Sequence, residues 1–182
     1  MKQPLSYCLF DTPLGWCGIA WRESVDSSIP PAVISFQLPE VTPEITEQRI
    51  ARDCGGRRSS DPPPEIAGVI LRVCKHLGGD PQDFQNVVLD LGKTGDFARQ
   101  VYAAARAIPA GQTRTYGEIA RALNRPNAAR AVGQALGKNP ITLIIPCHRV
   151  LAAGGKSGGF SAHGGLATKA KMLAIEGVTI GC

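Results

Sequence analysis

The sequence predicts an α+β protein in two parts. A small N-terminal domain of mixed sheet and helix covers residues 1–93, and a mostly helical C-terminal domain with a winged-helix-like helix-turn-helix covers 94–182. Three observations predict this division. Short aromatic and β-branched runs bounded by Pro and Gly fill the first part. Apolar residues at helical spacing fill the second. Charge changes sign between them: from Phe97 onward eleven Lys and Arg face two acids, Glu118 and Glu176, a balance of +9, whereas the first 96 residues hold nine basic and thirteen acidic residues, a balance of −4. A basic half of this kind points to a polyanionic partner, most commonly a phosphate backbone.

Each element has its own signal. Residues 7–10 and 16–21 are apolar runs around Asp11-Thr12-Pro13-Leu14-Gly15, a hairpin pattern, and 32–38 is a third strand entered through Pro30-Pro31. Residues 45–51 predict a short helix and 57–64 (RRSSDPPP) an exposed loop. Ile66, Val69, Ile70, Val73 and Leu77 recur at helical spacing, Gly78-Gly79 stops that helix, and 87–89 is a last short strand before the boundary at Gly92-Lys93-Thr94-Gly95. Phe97, Val101, Ala104, Ala105 and Ile108 then make one apolar helix face, ended by Pro109 and Gly111. Thr115-Tyr116-Gly117-Glu118 has the form of a capping box opening a helix to about Leu123. Asn124-Arg125-Pro126 breaks it, and Asn127 is the expected N-cap of a second helix ending at Gly137.

In that second helix Ala129, Val132 and Leu136 are spaced to face the core, leaving Arg130, Gly133, Gln134 and Gly137 opposite. One arginine among tiny residues suits close approach to another surface, at a cost of about 1 kcal/mol for each interior Gly. Helix–helix packing inside the protein explains the same pattern.

Other classes are set aside. No run of 18 apolar residues exists, so no membrane span is expected, and the start lacks the apolar region of a secretory signal. Six irregularly spaced cysteines read as reduced thiols, which places the protein in the cytoplasm, or the nucleus of a eukaryote. Gly155-Lys156-Ser157 lacks the Gly that a phosphate loop needs, because position 150 is Val. No metal is expected: Cys8, Cys17, Cys74 and His76 include no CxxC pair, and His76 falls in a helix pattern. No Gly-rich nucleotide or S-adenosylmethionine fingerprint follows a predicted strand, so no cofactor is expected.

The chemistry concentrates at Pro146-Cys147-His148-Arg149-Val150, which follows the continuous apolar stretch 141–145. A cysteine beside a histidine on a buried strand, between Pro and Arg, suggests an activated thiolate. Most cysteines are simply small buried hydrophobes.

The segment 145–150, IPCHRV, resembles the active-site motif of the O6-alkylguanine-DNA alkyltransferases, the methylated-DNA–protein-cysteine methyltransferases. The resemblance extends through Thr115-Tyr116-Gly117-Glu118, Ala128-Ala129-Arg130-Ala131-Val132-Gly133, Gly137-Lys138-Asn139-Pro140, Gly164-Gly165-Leu166 and Glu176-Gly177, covering nearly all of 97–178. It implies a single-use repair protein that moves an alkyl group from O6-alkylguanine, and O4-alkylthymine, in double-stranded DNA to Cys147. No cofactor and no obligate protein partner are implied. The resemblance makes Arg130 the finger that fills the place of a flipped base, Tyr116 the residue that helps rotate the nucleotide, and Ala129 and Gly133 part of the DNA-facing helix. It implies a Cys147–water–His148–Glu176 relay, with Asn139 tying the helix-turn-helix to the active-site strand. Pro146, Val150, Phe160 and Ser161 become the pocket.

Two departures stand out: Phe160 occupies a place commonly held by Tyr, and Ala162-His163 are inserted before Gly164-Gly165. Two rival classes were weighed. A non-enzymatic lesion binder lacks the reactive cysteine. A cysteine hydrolase needs direct contact between nucleophile and base, which neighbouring positions on a strand disfavour.

Overall fold

The computed structural model describes residues 4–26, 28–92 and 94–180; Lys93 of the expected boundary, the start of the chain and the sixth cysteine, Cys182, lie outside these. The chain divides into two compact units, Met1–Gly92 with Pro140–Thr142, and Lys93–Asn139 with Leu143–Cys182. The boundary expected at Gly92-Lys93-Thr94-Gly95 puts 140–142 in the second part. They belong to the first because Ile141 bridges Phe36, and the Pro140 carbonyl accepts from the Phe36 N–H at 2.9 Å.

In the first unit β1 (Leu5–Thr12) and β2 (Gly15–Arg22) pair antiparallel from Leu5↔Arg22 to Thr12↔Gly15, around the two-residue turn Pro13-Leu14. β3 (Ala32–Gln37) pairs antiparallel with β2. The expected loop at 57–64 begins instead with a two-residue strand, β4 (Arg57–Arg58), parallel to β1, giving the order β3-β2-β1-β4. The strand expected at 87–89 contributes only a bridge from Leu89 to Val33.

Both faces of the sheet are covered, so β2 reads as a continuous apolar run. Gly18 and Ala20 face α1 (Pro43–Cys54), and a Cβ at Gly18 would lie 3.0 Å from Ile50, so that helix packs directly on the strand. Cys17, Ile19 and Trp21 alternate to the opposite side and are fully buried. In α2 (Pro64–Leu77), Ile66, Val69, Val73 and Leu77 are buried as their spacing predicts, and Ile70 is half-buried.

The second unit begins with α3 (Asp96–Arg106), which buries Val101, Tyr102 and Ala105. A two-residue parallel ladder follows, β5 (Arg114–Thr115) with β6 (Val150–Leu151). α4 (Tyr116–Ala122) opens on the predicted capping box: Thr115 Oγ1 accepts from the Glu118 N–H, and the Thr115 N–H donates to Glu118 Oε2 at 2.6 Å. Asn124 then turns the chain at φ +57°, a left-handed conformation that Asn tolerates.

α5 (Ala129–Gly137) completes the helix-turn-helix, but Asn127 does not cap it. A turn closed by the Ala128 N–H on the Arg125 carbonyl carries the chain past Asn127, and Ala128 takes the cap position with no side-chain bond. The buried face of α5 is Val132, Ala135 and Leu136; Ala129 is only half-buried. α6 (Gly165–Ile175) buries Lys169, Met172 and Leu173.

Candidate active site

The segment carrying Cys147 is not a strand. Leu143, buried, takes φ +76° at a turn, which breaks the stretch 141–145. Cys147–Arg149 then form a single 3₁₀ turn, closed by the Arg149 N–H on the Pro146 carbonyl at 3.0 Å. The Cys147 N–H reaches back to the Ile145 carbonyl at 2.8 Å, and Asn139 Nδ2 donates to that same carbonyl at 2.8 Å. Asn139 thus ties the end of α5 to the residues just before the thiol.

His148 and Glu176 are buried together. Glu176 is the residue that ends α6, and its Oε1 accepts from His148 Nε2 at 2.9 Å. A carboxylate only accepts, so Nε2 carries a proton, which leaves Nδ1 as the nitrogen able to exchange one with the thiol side.

Glu176 also holds Arg149, whose Nε lies 3.0 Å from Oε2 and whose Nη2 lies 2.8 Å from Oε1. Arg149 Nη1 donates to the Ile108 carbonyl at 2.6 Å. In the sequence Arg149 simply follows the Cys-His pair. It is the second partner of Glu176, because the 3₁₀ turn sends it toward the end of α6.

Burial pushes the Cys147 thiol above its ordinary value, while hydrogen bonding from Asn139 and the charge of Lys169 pull the other way. Lys169 escaped the sequence reading: nothing distinguishes it from an exposed lysine except that its helix position is buried. Its Nζ donates to the Val150 carbonyl at 2.7 Å and the Gly159 carbonyl at 3.3 Å, and lies 6.0 Å from the Tyr116 ring centre. Burial lowers its pKa to about 8, opposed by the charge of Cys147.

A cleft of about 560 Å³ opens over Cys147. Tyr116, Ala129, Arg130 and Gly133 line one side, with Gln134, Leu136 and Gly137 further along α5, and Gly159, Phe160 and Ser161 line the rest. Arg130 is exposed at this cleft. Burial raises the Tyr116 hydroxyl, as does Cys147, while a backbone bond from Gly159 opposes them. Gly158 passes so close that a Cβ there would sit 2.8 Å from the Tyr116 oxygen. Pro146 and Val150, expected in the pocket, do not line it. Both are buried, and their carbonyls hold the turn through Arg149 and Lys169. His163, of the insertion, is exposed, and its carbonyl accepts from Thr168 at 2.6 Å.

Among the described residues no group of three or more His, Cys, Asp or Glu is placed to hold a metal ion. His76 is buried, and its Nδ1 accepts the Gln82 N–H at 3.0 Å. No helix among the described residues is long and apolar enough to cross a membrane.

The chain is similar to known proteins. The DNA-binding domain of 6-O-methylguanine DNA methyltransferase matches residues 96–178. A methylated-DNA–protein-cysteine methyltransferase of Mycobacterium tuberculosis is 44% identical over 172 residues, 94% of this chain and 92% of that protein. The chain belongs to the methylated-DNA–protein-cysteine methyltransferase family. Its relative in Mycolicibacterium paratuberculosis is 34% identical over the same shares of each chain. The crystal structure of Mycobacterium tuberculosis OGT in complex with DNA superposes with a TM-score of 0.70, at 34% identity, over 94% of this chain and 92% of that one. The O6-methylguanine-DNA methyltransferase of Pyrococcus kodakaraensis superposes at 0.67, with 26% identity, over 96% and 99%. Membership of this family accounts for the N-terminal unit as well as the basic half, since the relatives are matched over nearly their whole length.

Proposed function

We propose that this methyltransferase repairs double-stranded DNA by moving the alkyl group of O6-alkylguanine onto Cys147, once per chain. The observation that carries the reading is the cleft itself: a buried thiol at its base, an exposed arginine on a helix face of small residues at its mouth, and the His148–Glu176 pair beneath.

The lesion lies inside the base stack, so the nucleotide must rotate out, at a cost of a few kcal/mol. Arg130 fills the gap with a planar cation suited to stacking. Tyr116 guides the rotating nucleotide, Ala129 and Gly133 let α5 approach the duplex, and Phe160 and Ser161 face the base from the far wall.

Transfer is a displacement at carbon. The thiol proton passes through a water to His148 Nδ1, and Glu176 stabilises the resulting imidazolium. The thiolate forms a bond to the alkyl carbon as the O6–carbon bond breaks. The electron pair of the broken bond goes to the guanine, which takes up a proton as His148 releases one, so thiol and O6-alkylguanine become thioether and guanine. The thioether product is a poor leaving group, so the chain is consumed. A resting thiol supports a reducing compartment, the cytoplasm or the nucleus of a eukaryote.

Intact-protein mass spectrometry after mixing with an oligonucleotide duplex holding O6-methylguanine tests this. One added methyl per chain, mapped to Cys147 and lost in Cys147→Ser while duplex binding persists, is the expected result. Repeated turnover on excess lesion, or a methyl on another residue, would overturn it.

A further inference from the structure

Gln134 lines the same cleft as Arg130 and Cys147, is exposed, and has no part in the chemistry above. It follows Arg130 by four residues on α5. At 1.5 Å per residue that offset is about 6 Å along the helix, roughly two base-pair steps of about 3.4 Å.

Its neighbours on this face are glycines. A Cβ at Gly137 would meet nothing within 4 Å, and one at Gly133 would meet only the Tyr116 ring at 3.8 Å. A major groove about 12 Å wide admits a helix with full side chains, whereas a minor groove about 6 Å wide admits one only where side chains are missing. The face is therefore shaped for the minor groove, and beside Arg130 the long side chain left to reach its floor is Gln134.

We propose that Gln134 reads a guanine next to the lesion through its minor-groove edge. The inference rests on the alkyl-transfer reading above. A carboxamide carries a donor and an acceptor side by side. In the minor groove guanine offers the matching pair, an N2–H donor beside the N3 acceptor, whereas an A·T pair presents acceptors alone. Gln134 Oε1 accepts from N2–H while Nε2 donates to N3. Arginine at this place offers only donors and glutamate only acceptors, so the amide is the side chain that fits. Its consequence is a difference in transfer rate between lesions that have a guanine within two steps and lesions that do not.

The test measures single-turnover methyl transfer on duplexes carrying O6-methylguanine. At each of the two positions on either side, in both strands, guanine is exchanged for inosine, which lacks only the N2 amino group. Wild-type protein is expected to react about two- to tenfold faster with guanine than with inosine at one of these positions, the range of one net hydrogen bond. In Gln134→Ala the ratio falls to about one. Transfer from free O6-benzylguanine, which has no flanking base, shows whether the variant retains its acceptor site.

Equal wild-type rates for guanine and inosine at every position overturn the proposal, as does a guanine preference that survives Gln134→Ala. A loss of the same size on every duplex also overturns it, by assigning the amide to the sugar–phosphate backbone. Transfer failing on every duplex with wild-type protein overturns the underlying reading of the chemistry, a result distinct from the other three.

Discussion

Replacing Arg149 by Met tests whether Glu176 is held by an arginine as well as by a histidine. The guanidinium makes two short contacts to the carboxylate, 3.0 and 2.8 Å, and one to the Ile108 carbonyl at 2.6 Å. The Glu176 side chain is 0% exposed and that of Arg149 is 7% exposed. The variant leaves a buried carboxylate with His148 as its remaining named partner, and removing one member of a buried pair costs roughly 3–5 kcal/mol. At about 2–4 °C per kcal/mol for a chain of this size, the melting temperature should fall by about 6–20 °C.

The assay is a calorimetric melt at neutral pH, with Arg149→Met compared to the double variant Arg149→Met/Glu176→Gln. The double variant removes both charges yet keeps an acceptor for His148 Nε2, so it should recover part of the loss. A fall of less than about 3 °C in the single variant would refute the reasoning, since the ion pair would then have offset little more than its own desolvation. A double variant less stable than the single one would refute it in another way, by showing that the carboxylate is needed for something besides Arg149.

Four further outcomes are expected. Arg130→Ala should slow repair of duplex lesions far more than transfer from free O6-benzylguanine, which needs no base flipping; parallel rate measurements giving equal losses would contradict the role assigned to it. Lys169→Met removes a cation that lowers the Cys147 thiol, so the rate of transfer from the free base at pH 7.5 should drop and its rise with pH should move to higher pH. Because the Lys169 pKa of about 8 lies below the unfolded value near 10.4, the folded state binds fewer protons in that window; stability gains as pH rises through it, the full cost of the buried cation is present below pH 8, and Lys169→Met should flatten this slope in denaturant titrations. Methyl and then benzyl groups on Cys147 should progressively lower the melting temperature without DNA, since added methylenes in a packed site cost about 1–3 kcal/mol. Equal melts for free and modified protein would show that the space was already open.

The sequence was most legible where a local rule acts alone. The β1–β2 hairpin, the apolar face of α2 and the capping box of α4 each depend on neighbours within a few residues, and each forms as its spacing predicts. Asn127 misled because a good capping residue cannot cap when the preceding turn, set by Arg125-Pro126, delivers Ala128 to that position. Residues 141–145 misled for a different reason. An unbroken apolar run fits any buried conformation, and here it holds one bridge, from Ile141 to Phe36, and one turn at positive φ. Cys147, His148, Arg130 and Asn139 were legible through resemblance, whereas Arg149 and Lys169 were not. Their partners lie far along the chain, 27 residues on at Glu176 and 19 residues back at Val150, and no local pattern marks a charge that folds inward.

Those two inward charges bear on how a thiol can be reactive and durable at once. Burial alone would hold Cys147 protonated, which protects it from oxidation because the thiolate is the reactive form. It would also stop the transfer if nothing opposed it. Lys169 and Asn139 supply a standing offset, too small to reverse the upward shift at rest. In the proposed relay the His148–Glu176 pair supplies the rest, by taking the thiol proton as the sulfur attacks the alkyl carbon. Arg149 sharpens this division. Glu176 is shared between His148 and a permanent cation, so part of the carboxylate's charge already faces Arg149. Under the proposed relay the same carboxylate would stabilise His148 once it takes the thiol proton. A protein that reacts once has no later turnover in which to correct a spent thiol. A group of buried charges that keeps the sulfur quiet until a base fills the cleft is therefore as necessary to its function as the sulfur itself.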